Sequence, residues 1–337
     1  MTFVLEVNTS DIKGGCFLAL QTSSNLQKVL AFQNPPHLHQ NQTKMSQFKT
    51  VLVAGGLSGG LGKFIVEEFV ANGDYNVKIL SRSSSLTEKA AEIEKYKSVG
   101  VEVVAAEYTD HAGLVKALKG VDVVVSTVGT AVIETQISLI KAAEEAGVKR
   151  FIPSEFGSDI SKIPSPVFNH KRQISEYLRT TTLEYTIFYT NYWLDTILFF
   201  AEWDLTAGKA IIIGDGNDRF TVTHRKDVAK FVVASLSNPK SRNAVHGTAS
   251  AVVTWRELLS LAEKHSGKKF DVTYKDLGSV QAELAATKDF THEYVRDTVL
   301  SIAAQGLGLV EESVAVDYPE IKVITPDQFF REFYNKA

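Results

Sequence analysis

Cysteine is almost absent from this chain of 337 residues, because Cys16 is the only one. One thiol can form no disulfide within the chain and provides no second sulfur ligand for a metal site. An excess of charge of one sign is also missing, since 36 Lys and Arg stand against 39 Asp and Glu. A formal net charge of -3 supplies no basic field for nucleic acid or anionic lipid. We therefore expect a cytoplasmic protein that binds neither nucleic acid nor a membrane.

Long hydrophobic runs are missing as well, although 44% of the residues are hydrophobic. The most aromatic stretch covers residues 189–204, but Asp195, Glu202 and Asp204 interrupt it. It therefore falls short of the ~20 apolar residues that a membrane-spanning helix needs. We interpret it as buried core or as the lining of a pocket.

The N-terminal region, residues 1–48, has no sustained hydrophobic periodicity and is rich in Asn, Gln, Ser and Thr. It lacks the segments of a signal peptide, and it contains no arginine, since the first arginine of the chain is Arg82. We predict a poorly ordered extension followed by one domain over residues 49–337. Met45 raises the hypothesis of a true or alternative start at that residue.

From Val51 onward, short runs of β-branched residues alternate with amphipathic stretches of helical period. This alternation is typical of βαβ units, so we predict a Rossmann-type α/β fold with a doubly wound parallel sheet. The predicted strands cover residues 51–54, 77–80, 101–105, 121–126, 150–153 and 185–189. The predicted helices cover residues 61–72, 87–98, 112–118, 134–146 and 169–179, with later helices near 227–236 and 329–334.

A glycine-rich turn joins the first predicted strand to the first predicted helix. Its glycines leave the backbone bare enough for a pyrophosphate to approach, and the helix N-terminus behind it favours an anion. A flexible loop without a ligand is the plainer alternative, but the position between a strand and a helix argues against it. We therefore predict a dinucleotide site with contacts from Gly56, Ser58, Gly59, Gly60, Leu61 and Gly62.

The end of the second predicted strand favours NADP over NAD. An acidic residue there would bond the ribose 2′-hydroxyl, whereas this chain has Ser81 and Arg82. The Arg82 guanidinium can pair with a 2′-phosphate, with Lys89 as a second cation, although a solvated surface arginine is the alternative. Small residues after the fourth strand would let the second ribose approach the backbone, and these are Thr127, Val128 and Gly129.

Five segments occur in the order known from one protein family, at residues 56–62, 126–129, 149–157, 167–171 and 214–217. Through them the chain resembles the isoflavone reductase-like branch of the NmrA-like proteins, which includes phenylcoumaran benzylic ether reductases. The resemblance implies NADP(H) as cofactor, a Rossmann core over about 49–190 and a smaller substrate lobe over about 191–337. It also implies cofactor contacts from Pro153, Ser154 and Phe156.

The resemblance assigns the role of general acid or base to Lys171, which stands three residues after a Val-Phe pair. Desolvation and a helix dipole would lower the lysine pKa toward the range needed for proton transfer. Two other roles stay open, namely a solvated surface lysine and a bond to the nicotinamide ribose without proton transfer. Ser175 stands where plant members often carry a basic residue, which would remove one cofactor contact.

These features predict an NADPH-dependent reductase of a small aromatic or polyketide-like molecule, in a tailoring step of secondary metabolism and as a candidate homo-oligomer. Phe156, Tyr192 and Trp193 are expected to form an apolar substrate pocket. We expect a solvated His170, a structural His224 and no metal, because no cluster of His, Cys or carboxylates has metal-ligand spacing. The alternative function is an NADP-sensing regulatory protein of the NmrA type, without turnover.

Overall fold

The computed structural model describes residues 47–287, 289–310 and 313–335. Most of the predicted extension, together with Cys16 and Met45, lies outside these residues. Phe48, which the sequence pattern assigns to the extension, is buried, and the Arg150 guanidinium lies 4.9 Å from its ring centroid. The packed part of the chain therefore begins before the predicted domain start at residue 49.

The strands of the described residues divide into one large sheet and two small ones. Their bounds are β1 Thr50–Ala54, β2 Asn76–Ser81, β3 Glu102–Ala105, β4 Val123–Ser126, β5 Arg150–Ile152, β6 Glu184–Tyr189, β7 Tyr192–Trp193, β8 Lys209–Ile213, β9 Phe220–Thr223, β10 Ala244–Gly247, β11 Ala251–Val253 and β12 Asp271–Lys275. The large sheet has seven strands in the order β10-β6-β5-β4-β1-β2-β3, and every neighbouring pair is parallel. The order reverses at β1 and β4, which confirms the doubly wound α/β fold and marks their carboxyl ends as a ligand crevice.

Helices cover both faces of this sheet. The helix bounds are α1 Leu61–Asn72, α2 Ser83–Glu88, α3 Ala90–Lys97, α4 His111–Leu118, α5 Thr135–Glu145, α6 Asn169–Arg179, α7 Ile197–Phe200, α8 Arg225–Ser235, α9 Trp255–Ser266, α10 Leu277–Ala286, α11 His292–Ala304 and α12 Pro326–Asn335. One face packs against α1, α3 and α8, and the other against α4, α5 and α6. Successive side chains of β1 point to opposite faces of the sheet. Val51 and Val53 pack in the first layer, whereas Leu52 and Ala54 pack in the second.

The segment after β2 differs from the sequence prediction. A single helix over residues 87–98 is expected from the pattern, but the chain forms two shorter helices, and α2 already begins at Ser83. The backbone N–H of Ser83 donates to Glu107 Oε1 at 2.8 Å, so a side chain beyond β3 satisfies the first turn of α2. The pattern of hydrophobic residues within the segment cannot predict a cap from a residue so far along the chain. The prediction of a single helix is wrong for this reason.

The C-terminal part contributes a separate core. The three-stranded sheet has the order β11-β9-β7, and β8 pairs in parallel with β12. Around them, α9, α11 and α12 enclose an apolar cluster that includes Trp203, Phe220 and Trp255. No helix within the described residues is long and apolar enough to cross a membrane.

Candidate active site

The glycine-rich turn follows β1 directly and leads into α1. Gly55 and Gly59 both adopt positive φ, at 91° and 72°, where a side chain would strain the backbone. The sequence pattern identifies Gly59 but misses Gly55, which precedes the predicted repeat. The N–H of Ser58 donates to the carbonyl of Gly55 at 3.1 Å and closes the turn. No side chain caps α1, so the N-terminal N–H groups of this helix are available to an anion.

Among the glycines of this turn, Gly62 has the least room. A Cβ atom there would lie 2.4 Å from Thr127 Oγ1 and 2.5 Å from the carbonyl oxygen of Gly55. Gly56 is also tight, because its Cβ would meet Val66 at 3.0 Å, whereas a Cβ on Gly59 would meet no atom within 4 Å. Gly56 and Gly62 thus serve close packing of the helix, while the open space beside Gly59 suits a bound group.

Two predicted cations flank the turn. Arg82 is exposed immediately after β2, and the ammonium of Lys89 donates a hydrogen bond to the carbonyl of Leu57 within the turn. Glu107 is the nearby acid, and its pKa is lowered mainly by the hydrogen bonds from Ser83 and to a smaller extent by Arg82. This carboxylate caps α2 from the end of β3, and it lies close enough to Arg82 for the two charges to interact.

A chain of contacts connects the turn with the loop after β5. The Thr127 hydroxyl donates to the carbonyl of Ala54 at 2.8 Å, which joins the ends of β4 and β1. The Ser154 hydroxyl donates to the carbonyl of Val128 at 2.9 Å, and the Ser154 N–H donates to Gln136 Oε1 at 2.7 Å. Thr127, Val128 and Ser154 therefore lie together at the carboxyl edge of the sheet.

Lys171 lies in the first turn of α6, beyond this loop. Its ammonium donates to the backbone carbonyl of Glu155, and its Nζ atom lies 4.0 Å from Glu155 Oε2. The side chain is only 21% exposed. Burial lowers the Lys171 pKa, and the charge of Glu155 partly opposes that change. A side chain of this exposure that is bonded to the backbone differs from a fully solvated surface lysine.

Glu155 is a site residue that the sequence reasoning did not single out. It is 2% exposed, and its Oε1 atom accepts a hydrogen bond from the Ser175 hydroxyl at 2.7 Å. Burial raises the Glu155 pKa, while Lys171, Ser175 and Arg172 oppose the rise. The available signal was the spacing of Lys171 and Ser175, which places both side chains on one face of α6. Ser175 therefore holds the buried carboxylate and does not stand free at the site.

Phe156 follows Glu155 and has a core role. Its φ of 24° is unusual for a residue with a side chain, and its ring stacks on Phe188 at 6.1 Å between centroids. It belongs to the apolar cluster under the first helix layer, against which Trp193 also packs. Tyr192 lies in the other cluster, where its hydroxyl donates to the carbonyl of Val299 at 2.7 Å. The expected common wall of Phe156, Tyr192 and Trp193 is wrong, because successive strand residues point to opposite sides.

The two histidines have the expected roles. His170 has a half-exposed side chain 3.1 Å from Glu134. His224 is buried and caps α8, since its Nδ1 atom accepts from the Lys226 N–H at 3.1 Å. The described ranges contain no group of three or more His, Cys, Asp or Glu residues arranged to hold a metal ion.

Comparisons with known proteins agree with this arrangement. The NmrA-like family model matches residues 47–324. The chain is 30% identical over 311 residues to the phenylcoumaran benzylic ether reductase Pyrc5 of Pyrus communis, covering 86% of this chain and 100% of that protein. It is 35% identical over 238 residues to an isoflavone reductase homolog of Solanum tuberosum, covering 66% of this chain and 77% of that protein. The solved structure of AtPrR2 with NADP+ and (+)pinoresinol superposes with a TM-score of 0.76 at 28% identity, over 85% of this chain and 99% of that one.

Proposed function

The chain belongs to the NmrA-like family, and from this premise we propose that it is an NADPH-dependent reductase of a small aromatic molecule. Relatives are named isoflavone reductase and phenylcoumaran benzylic ether reductase, and one neighbour was solved with NADP+ and (+)pinoresinol. We further propose that the reaction is a tailoring step of secondary metabolism.

The residues at the carboxyl edge of the sheet fit NADP(H). The uncapped N-terminus of α1 and the open space beside Gly59 suit a pyrophosphate, because both offer bare backbone to an anion. Arg82 and Lys89 supply the positive charge that a 2′-phosphate requires. NADPH, when bound there, supplies the hydride.

One observation carries the assignment of catalysis, namely the poorly exposed amine of Lys171 at the same edge as the glycine-rich turn. Hydride addition to an electrophilic carbon leaves a developing negative charge that a proton must neutralise. Lys171 can donate that proton, because burial lowers its pKa from the ordinary lysine value toward the working range. Glu155 holds the amine in place through its backbone carbonyl.

A dinucleotide-binding regulator without turnover would use the same glycine-rich turn, but it has no need for a poorly exposed amine. The test measures NADPH oxidation by the purified protein as a loss of NADPH absorbance. The candidate substrates are a panel of isoflavones, lignans and phenylcoumarans. We expect turnover of at least one aromatic substrate with NADPH and a much slower rate with NADH. Tight NADPH binding without turnover of any panel member, together with capture of a protein partner, would favour the regulator.

A further inference from the structure

The carboxyl group of Glu155 has an incomplete set of partners. Its Oε1 atom accepts from the Ser175 hydroxyl at 2.7 Å, whereas Oε2 has no hydrogen-bond donor among the residues that the structure describes. Glu155 is 2% exposed, so water does not compensate this oxygen from the bulk. A buried carboxylate oxygen without a donor is costly unless an opposite charge lies close to it.

The nearest such charge is the ammonium of Lys171. Its Nζ atom lies 4.0 Å from Oε2, and a hydrogen bond to the Glu155 backbone carbonyl fixes it at the same residue. The chain thus brings one amine and one carboxylate together in a site that excludes most solvent. At this separation and in low dielectric, each charge strongly favours the ionised form of the other.

We propose that Glu155 is a positioning residue for Lys171: its carboxylate keeps the amine protonated in a desolvated site and so sets the pH range for proton donation. The inference rests on the proposed role of Lys171 as proton donor. Ser175 supports it by donating to Oε1, since a hydrogen bond to the ionised form favours that form. Burial raises the Glu155 pKa and lowers the Lys171 pKa, and the charge of each group opposes the change in the pKa of the other.

The other charged groups around Glu155 do not replace Lys171 in this role. Arg172 also favours the Glu155 carboxylate, but its guanidinium is bonded to the carbonyl of Ile163 and to Asn169 Oδ1. Tyr189 lies near the carboxylate, and burial raises its pKa to about 12, with smaller contributions from Glu155 and Asp159. Its hydroxyl therefore stays neutral over the working range.

The test is the titration of the Lys171 amine itself, measured without NADPH or substrate. Competitive labelling with acetic anhydride over a pH series reports the free-amine fraction, and mass spectrometry quantifies the peptide that contains Lys171. In the Glu155→Gln variant, we expect the Lys171 pKa to fall by about one pH unit or more, since removal of an opposite charge at this range has that size of effect. Glu155→Asp retains the charge and should keep the pKa closer to that of the wild type.

Glu176→Gln is the matched control, because it removes an exposed carboxylate from the same helix. We expect it to leave the Lys171 titration unchanged, and thermal unfolding verifies that each variant is folded. An unchanged or raised Lys171 pKa in a folded Glu155→Gln protein overturns the proposal. If NADPH oxidation instead fails with every aromatic substrate, the proposed function fails, while the titration still decides the coupling of Glu155 and Lys171.

Discussion

The Nζ atom of Lys171 contacts two different oxygens of one residue: it donates to the backbone carbonyl of Glu155 and lies 4.0 Å from the carboxyl oxygen Oε2. The backbone contact fixes the position of the amine, and the side-chain contact affects its charge. Because the Ser154 hydroxyl donates to the carbonyl of Val128 beside the glycine-rich turn, the loop that contacts the amine is bonded to the proposed dinucleotide site.

Gly62→Ala should disrupt the dinucleotide site. The new Cβ would lie 2.5 Å from the carbonyl oxygen of Gly55, and a backbone atom cannot move aside as a flexible side chain can. We expect a loss of about 1–3 kcal/mol of stability and at least a tenfold weaker NADPH affinity by fluorescence titration. Gly278→Ala is the control, since its Cβ would meet only the Asp276 carboxylate at 3.3 Å. Unaltered NADPH affinity in Gly62→Ala would contradict the assigned packing of turn and helix.

Arg82→Ala should change cofactor preference. Loss of a charge-assisted hydrogen bond to a phosphate costs about 1.5–3 kcal/mol, which corresponds to roughly a tenfold to hundredfold lower kcat/KM for NADPH. The kcat/KM for NADH should stay near its original value, because NADH has no 2′-phosphate. Arg179→Ala removes an arginine near the other end of the sheet, where it stacks on Tyr185, and should leave the ratio intact. Equal losses for both cofactors in Arg82→Ala would refute recognition of the phosphate.

The sequence defines some elements well because their own residues determine them. Apolar periodicity correctly predicts the bounds of α1 and α6, since each buries one face against the sheet. The start of α2 depends instead on a hydrogen bond to the carboxylate of Glu107, a residue that follows β3. In the site, Lys171 was predicted through resemblance, but its pairing with Glu155 depends on how the loop after β5 meets α6. The sequence pattern of neither segment predicts this contact between Glu155 and Lys171.

The Phe156→Leu variant distinguishes a role of this residue in core packing from a role in cofactor binding. The ring is 5% exposed and stacks on Phe188, so a smaller side chain should destabilise the core by about 1–3 kcal/mol. If the side chain serves the core, the NADPH affinity of the folded variant should equal that of the wild type. Urea unfolding and fluorescence titration measure the two quantities. A tenfold weaker affinity at unchanged stability would instead support the predicted cofactor contact of Phe156.

His246 should make the stability depend on pH. Burial lowers its pKa below the ordinary value of 6.5, and its Nε2 atom lies 2.8 Å from Ser241 Oγ. The unfolded chain therefore binds a proton more readily than the folded one, so this contribution to stability is complete above about pH 6.5 and declines below it. In His246→Gln, the free energy of unfolding should fall less between pH 8 and pH 5. Parallel pH profiles of the two proteins in urea unfolding would argue against a titrating His246.

The most direct test of proton transfer by Lys171 compares NADPH binding with NADPH turnover in the Lys171→Ala variant. The amine contacts Glu155 and not the glycine-rich turn, so NADPH affinity should stay within about twofold of the wild type. General acid catalysis contributes about 10²–10⁴ in rate, and the turnover of an aromatic substrate should fall by that factor. Lys116→Ala, at an exposed position of α4, should retain full turnover. Wild-type turnover in Lys171→Ala would contradict proton transfer by Lys171.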